Sequence, residues 1–197
     1  MKKDIGHITL LPLNIFEGQE LRRVWVPREV NMGGKECEVD SPDIEIRPLR
    51  AGEDGSAFRT LNEEWIAHYF ALEQKDRETL GDPENAILHK GGHIFMVYAN
   101  GNTVGCVALI PMGNDVYELS KMAVSPQLRG HGIGRKLLEY TVAQAKEIGA
   151  KALFLGSNTR LENAIHLYES VGFRHVPAEK LPPMQYTRAN VFMEMQL

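Results

Sequence analysis

The stretch LRGHGIGRKLLEY, Leu128 to Tyr140, sets glycine at 130, 132 and 134 and arginine at 129 and 135. A backbone without Cβ atoms admits a ligand at close range and reaches left-handed conformations without steric cost. The run that follows reads as a helix beginning near Gly132–Ile133. Free N–H groups and the positive dipole end at a helix start hold a phosphate, and Arg129 and Arg135 add charge-assisted contacts. The chemistry on offer is therefore anion binding. Two common nucleotide devices fail on spacing. A dinucleotide fingerprint needs a third glycine three residues after the second. Here Gly132-Ile133-Gly134 is followed by Arg135, Lys136 and Leu137. A P-loop needs glycine before Lys-Ser or Lys-Thr, and the chain has no such pair after a glycine. Spacing alone leaves two readings open, a phosphate cradle or a tight strand-to-helix turn.

Other chemistries find less support. Cys37 and Cys106 are too few and too far apart for a disulfide framework or a cysteine metal site. His89 and His93 are four apart, but Gly91 and Gly92 between them oppose the helix a metal pair would use. No metal is expected. A net charge of -4 gives no basic surplus for nucleic acid. No apolar stretch approaches the roughly 20 residues needed to cross a membrane. The opening MKKDIGHITLLPLNIF is interrupted by Asp4, His7, Pro12 and Asn14, a poor signal peptide. A soluble cytoplasmic protein is the expectation, and 197 residues with 43% hydrophobic content suffice for one cored domain and an appendage.

The elements that must carry the glycine loop can be read in order. Residues 1–42 form an irregular arm and linker, with LRRVWVP the one strand-like piece. Residues 43–197 form the regular domain. Ile44, Ile46 and Pro48–Leu49 open it with a short strand. Ala57, Phe58, Leu61, Trp65, Ile66 and Tyr69 have helical spacing. Asp82 and Pro83 start a second helix as N-cap and first helical residue. HIFMVYA and TVGCVALIPM flank Asn100–Gly101, a hairpin signal. VYELSKMAV follows the turn at GND and leads into the glycine loop. The loop's helix runs to about Ile148, with Gly149 closing it. KALFLG is a strand, TRLENAIHLYESV a helix stopped at Gly172, and FRHV and NVFMEMQL are last strands. The order predicts an α/β (α+β) fold, a mixed, mostly antiparallel sheet with helices on both faces.

In that setting ELSKMAVSPQLRGHGIGRKLLEYTVAQAKEIGA resembles the acetyl-CoA-binding segment of the GCN5-related N-acetyltransferase (GNAT) superfamily. The pattern [QR]-x-x-G-x-[GA] is met by Arg129, Gly132 and Gly134, with MAVSP upstream. AIHLYESVGF, Ala164 to Phe173, resembles the family's second motif, at the right interval and in the right order. FALEQKDRETLGDPENAILHKGGHIFMV and YTRANVFMEM resemble the acetyltransferase halves of winged-helix regulator fusions.

The resemblance implies splayed central parallel strands with the pantetheine arm of acetyl-CoA between them. Met122, Ala123 and Val124 would bond that arm through backbone groups. Arg129, Gly130, Gly132, Ile133, Gly134 and Arg135 would wrap the pyrophosphate. Where the family often has asparagine on the arm, this chain has Leu161, and Asn158 is carried as the substitute contact. Acyl transfer needs an amine that has lost its proton, since a free ammonium has a pKa of about 10.4. It also needs donors to the oxyanion and a proton for the departing thiolate. Tyr168 matches the family's acid, and Glu118 the base of some members. Glu63 and Glu64 compete for the base role, and Trp65, Tyr69 and Phe70 are candidates to line the acceptor cleft.

The implied activity is direct acetyl transfer to a primary amine of a small molecule or a peptide. The competing class is a non-catalytic acyl-CoA-binding or regulatory module. A homodimer packed through Val24, Trp25 and Val26 of the arm is a further expectation.

Overall fold

The computed structural model describes residues 10–17, 20–27, 42–177, 181 and 187–197. Contacts divide the chain into two compact units, Met1–Ser41 and Pro42–Leu197. The first contains an antiparallel ribbon of β1 (Leu10–Glu17) and β2 (Glu20–Pro27). Among its described residues the arm has two strands where one strand-like piece was expected. Pro12 reads as a breaker in sequence, yet it pairs with Trp25. A strand of a two-stranded ribbon has an open edge, where a residue lacking N–H is tolerated.

The second unit contains β3 (Ile44–Pro48), then helices α1 (Ser56–Tyr69), α2 (Gln74–Gly81) and the single turn α3 (Pro83–Ala86). Strands β4 (His93–Ala99), β5 (Asn102–Gly113) and β6 (Val116–Val124) follow. Helix α4 (Ile133–Glu147), β7 (Ala152–Ser157), α5 (Glu162–Val171), β8 (Arg174–His175) and β9 (Val191–Gln196) complete it. Among the described residues the sheet has seven strands in the order β3-β4-β5-β6-β7-β9-β8, and only β6 and β7 run parallel. The β4–β5 hairpin turns at Asn100 and Gly101, both at positive φ (49° and 79°), as its Asn-Gly pair demands.

Apolar alternation explains why both sheet faces are covered. Ile94, Met96, Cys106, Ala108 and Ala123 join Phe58 and Ile66 of α1 and Leu80 of α2 in one core. Phe95, Val97, Val107, Leu109 and Leu119 join Leu137 and Leu138 of α4 and Tyr168 of α5 in the other. Successive strand residues point to opposite faces, so a continuous apolar run such as HIFMVYA serves both cores.

Helix α2 was not anticipated, and the helix expected from Asp82 is one turn, although Asp82 does accept the Asn85 N–H at 3.1 Å. Few apolar residues mark α2. A capping box starts it instead: the Glu73 side chain accepts the Asp76 backbone N–H, and Asp76 Oδ2 accepts the Glu73 N–H at 3.0 Å.

Candidate active site

The site begins as a failure of strand pairing. Strands β6 and β7 pair only where Val116, Tyr117 and Glu118 face Ala152, Leu153 and Phe154. Beyond Glu118 they part. The opposite edge of β6 is irregular too. Ala108 faces Ser120 and Cys106 faces Ala123, so Lys121 and Met122 stand opposite Val107 alone. This is a β-bulge, with Lys121 at φ 55°. A cavity of about 400 Å³ fills the gap, lined from β6, the end of β7, α5, the end of α1 and Arg188–Ala189.

Six of the sequence-derived site residues line this one cavity: Glu118, Met122, Val124, Arg129, Asn158 and Tyr168. Tyr168 is buried, edge-on to Phe173 at 5.9 Å, and desolvation pushes its phenol up to about 12. It therefore keeps its proton at neutral pH. Burial also raises the Glu118 carboxyl above the ordinary carboxylate range, against a hydrogen bond from Ser120 and the charge of Lys121. A carboxylate raised this way is a better proton acceptor. Glu63 is ion-paired with Arg59 at 2.8 Å, and neither Glu63 nor Glu64 lines the cavity.

The remaining site residues lie outside the cavity lining. The Ala123 side chain belongs to the core under α1, which leaves only its backbone for a ligand. Gly130 and Gly132 have φ of 82° and 75°, and a Cβ on either would meet nothing within 4 Å. Their backbone is left-handed and open on one side. Gly132 is the N-cap of α4, so the helix's first N–H groups follow it directly. Those N–H groups have no intrahelical acceptor. Gly134 differs: a Cβ there would stand 3.4 Å from Leu167, so this glycine also brings α4 close to α5. Ile133 is buried in the core, and the Arg135 guanidinium donates to Glu139 at 3.2 Å and Ser170 at 2.6 Å. Asn158 donates to the Arg188 carbonyl at 2.6 Å and accepts the Arg160 N–H at 2.9 Å, which ties its amide to backbone.

The cavity also holds residues that the sequence did not single out. Lys121 and Arg188 line the cavity, and both engage the fully buried Asp76. Lys121 Nζ lies 2.5 Å from Asp76 Oδ1, and Arg188 donates to both Asp76 oxygens at 2.6 and 2.9 Å. Glu73 accepts the Thr187 and Arg188 N–H groups at 3.1 and 3.2 Å and lies 3.3 Å from the Arg188 guanidinium. Burial works to raise the Asp76 pKa, but the donors from Arg188 and Lys121 outweigh it and hold the carboxyl low. Burial lowers the Lys121 ammonium in spite of Asp76. One signal was available: Leu119, Lys121 and Ala123 are all buried at alternate strand positions. A lysine on a core face must be paired. Trp65, Tyr69 and Phe70, candidates for a cleft or for core, line the cavity, and Asn62 accepts the Trp65 indole N–H at 3.2 Å.

With this geometry in hand, comparison with known proteins is informative. The sequence profile of the acetyltransferase (GNAT) family matches residues 57–173. The N-acetyltransferase YjgM of Escherichia coli is 35% identical over 106 residues, 50% of this chain. The chain spans 64% of that relative's length, less than two thirds. A GNAT family acetyltransferase of Staphylococcus aureus superposes with a TM-score of 0.71 at 24% identity, over 78% of this chain and 99% of that one. The yncA structure of Salmonella typhimurium, solved with its cofactor acetyl-CoA, gives 0.58 at 20%, over 78% and 93%.

Proposed function

This chain belongs to the acetyltransferase (GNAT) family, and on that premise we propose that it moves an acetyl group from acetyl-CoA to a primary amine of a small molecule or protein. The observation that carries the reading is one cavity, at the parting of β6 and β7, that collects Glu118, Tyr168 and Arg129. Acetyl-CoA would supply the activated thioester. Gly130, Gly132 and the first N–H groups of α4 would hold its pyrophosphate, with Arg129 and Arg135 beside them. Backbone groups of Met122, Ala123 and Val124 would receive its arm, and Asn158 is retained as a contact beside Leu161.

Glu118 takes the amine's proton, directly or through one water. Tyr168, protonated at neutral pH, donates at the leaving sulfur. Backbone donors at the end of β6 face the developing negative charge. The stretches resembling the acetyltransferase halves of winged-helix regulator fusions lie within residues 43–197, which we assign the whole activity. The arm, 1–42, is proposed to be dispensable for cofactor binding.

The test pairs calorimetry of acetyl-CoA with thiol release over a broad amine panel. Binding together with amine-dependent thiol release is expected. Binding without turnover on any amine would instead establish a non-catalytic acyl-CoA-binding module.

A further inference from the structure

We infer that the acceptor is an amine that also bears a carboxylate, such as a free amino acid, and that Arg160 reads the carboxylate. This rests on the acetyl-transfer reading above. Arg160 sits in the turn between β7 and α5 and lines the cavity. Its side chain reaches the end of α1, where Nη1 donates to the Tyr69 carbonyl at 2.7 Å. The guanidinium carbon lies 5.3 Å from the centre of the Phe70 ring. Held at two places, the guanidinium has lost much of its rotational freedom before any ligand arrives. A guanidinium carries five N–H donors in a planar fork that matches a carboxylate.

The charges around the cavity narrow the choice. Its cationic lining is Lys121, Arg129, Arg160 and Arg188. Lys121 and Arg188 share Asp76, with Glu73 beside Arg188. Arg129 belongs to the glycine loop. Arg160 pairs with no carboxylate among the described residues. Two carboxylates, Glu118 of β6 and Glu162 of α5, line the same cavity, and Glu118, proposed as the base, is suited to an ammonium. A carboxylate-reading cation and an ammonium-reading anion on one cavity form the charge pattern of a zwitterion. A polyamine or a lysine-rich segment would instead bring extra positive charge against Arg160.

The test measures thiol release with the free amino acids, each beside its carboxamide, and with spermidine. Wild type, Arg160→Gln and Arg160→Lys are compared, with calorimetry of acetyl-CoA on each. The inference expects one or more amino acids to exceed their carboxamides in kcat/KM by on the order of tenfold or more. Arg160→Gln should collapse that ratio through KM and leave acetyl-CoA affinity intact. Arg160→Lys should restore part of it, keeping the charge without the fork. Carboxamides or spermidine used as well as amino acids, no amino acid used, or a ratio unmoved by Arg160→Gln would each overturn the inference while acetyl transfer stands. Wild type that fails to bind acetyl-CoA would overturn the acetyl-transfer reading, and this one with it.

Discussion

The glycine loop is made of consecutive residues, Arg129 to Arg135, and the groups proposed to bind there are mainly backbone, with Gly130 and Gly132 at left-handed φ. The proposed acceptor end is made of side chains from Trp65, Asp76, Glu118, Lys121, Arg160 and Arg188, drawn from five separate segments. The first end needs only a local conformation and the start of a helix. The second needs α1, α2, β6 and the segment before β9 to be docked first. Its buried ion cluster is tertiary structure throughout. One end therefore depends on local chain conformation, while the other can be rebuilt one side chain at a time.

The largest effect should come where the two ends meet. Tyr168→Phe removes a hydroxyl and little volume, so acetyl-CoA should still bind in calorimetry while kcat falls by about 10²–10⁴-fold. Full activity at every pH would make Tyr168 a packing residue belonging to neither end. Glu118→Gln tests the same junction from the acceptor side. The active form is the carboxylate, and its pKa is raised, so kcat/KM should climb with pH along a limb lying above the ordinary value of 4.5. The Gln variant should lose that limb, and a retained limb would assign the base to another group.

Breaking the acceptor end alone should be a stability effect. Asp76→Ala leaves Lys121 and Arg188 buried without their shared carboxylate, a loss of about 3–5 kcal/mol in urea unfolding. The wild-type contribution is full above the ordinary carboxylate range and disappears as pH falls through the depressed Asp76 value. Wild type and Asp76→Ala should therefore converge in stability toward strongly acidic pH. The smallest effect belongs to the loop end. Gly132→Ala keeps open space around the new methyl but forces alanine to φ 75°, costing about 1–2 kcal/mol. Its cost in acetyl-CoA affinity should exceed its cost in urea stability, because the methyl occupies the space proposed for phosphate. Equal costs would make Gly132 a turn residue only.

The same contrast explains what was legible in advance. The Asn100–Gly101 hairpin, the α1 face of Phe58 and Ile66, and the stops at Gly149 and Gly172 all rest on near neighbours in sequence. So do the loop glycines. Glu118 and Tyr168 were found through motif resemblance, and the structure places them on one cavity. Arg160 and Arg188 lie in turn-rich stretches where no periodicity singles them out, and Asp76 hides in a polar helix. Their partners are 91 and 112 residues away, beyond the reach of local pattern. Strand β1 escaped notice because Pro12 and Asn14 interrupt its apolar run.

The hydrogen bonds of Cys106 carry one more consequence. Its thiol accepts from Asn62 at 3.3 Å and donates to the Lys121 carbonyl at 3.7 Å, fully buried and pushed up to about 12 by desolvation. A sulfur so protected cannot be alkylated in the closed molecule at neutral pH. In a Cys37→Ser background, the rate at which a maleimide captures Cys106 becomes a stopwatch for excursions that lift α1 from the sheet. Because the same sulfur hydrogen-bonds the bulge, each such excursion also loosens the backbone proposed to hold the cofactor arm. Saturating acetyl-CoA should then slow capture in proportion to its occupancy. The cysteine, chemically silent in the reaction, would report how often the cleft comes undone.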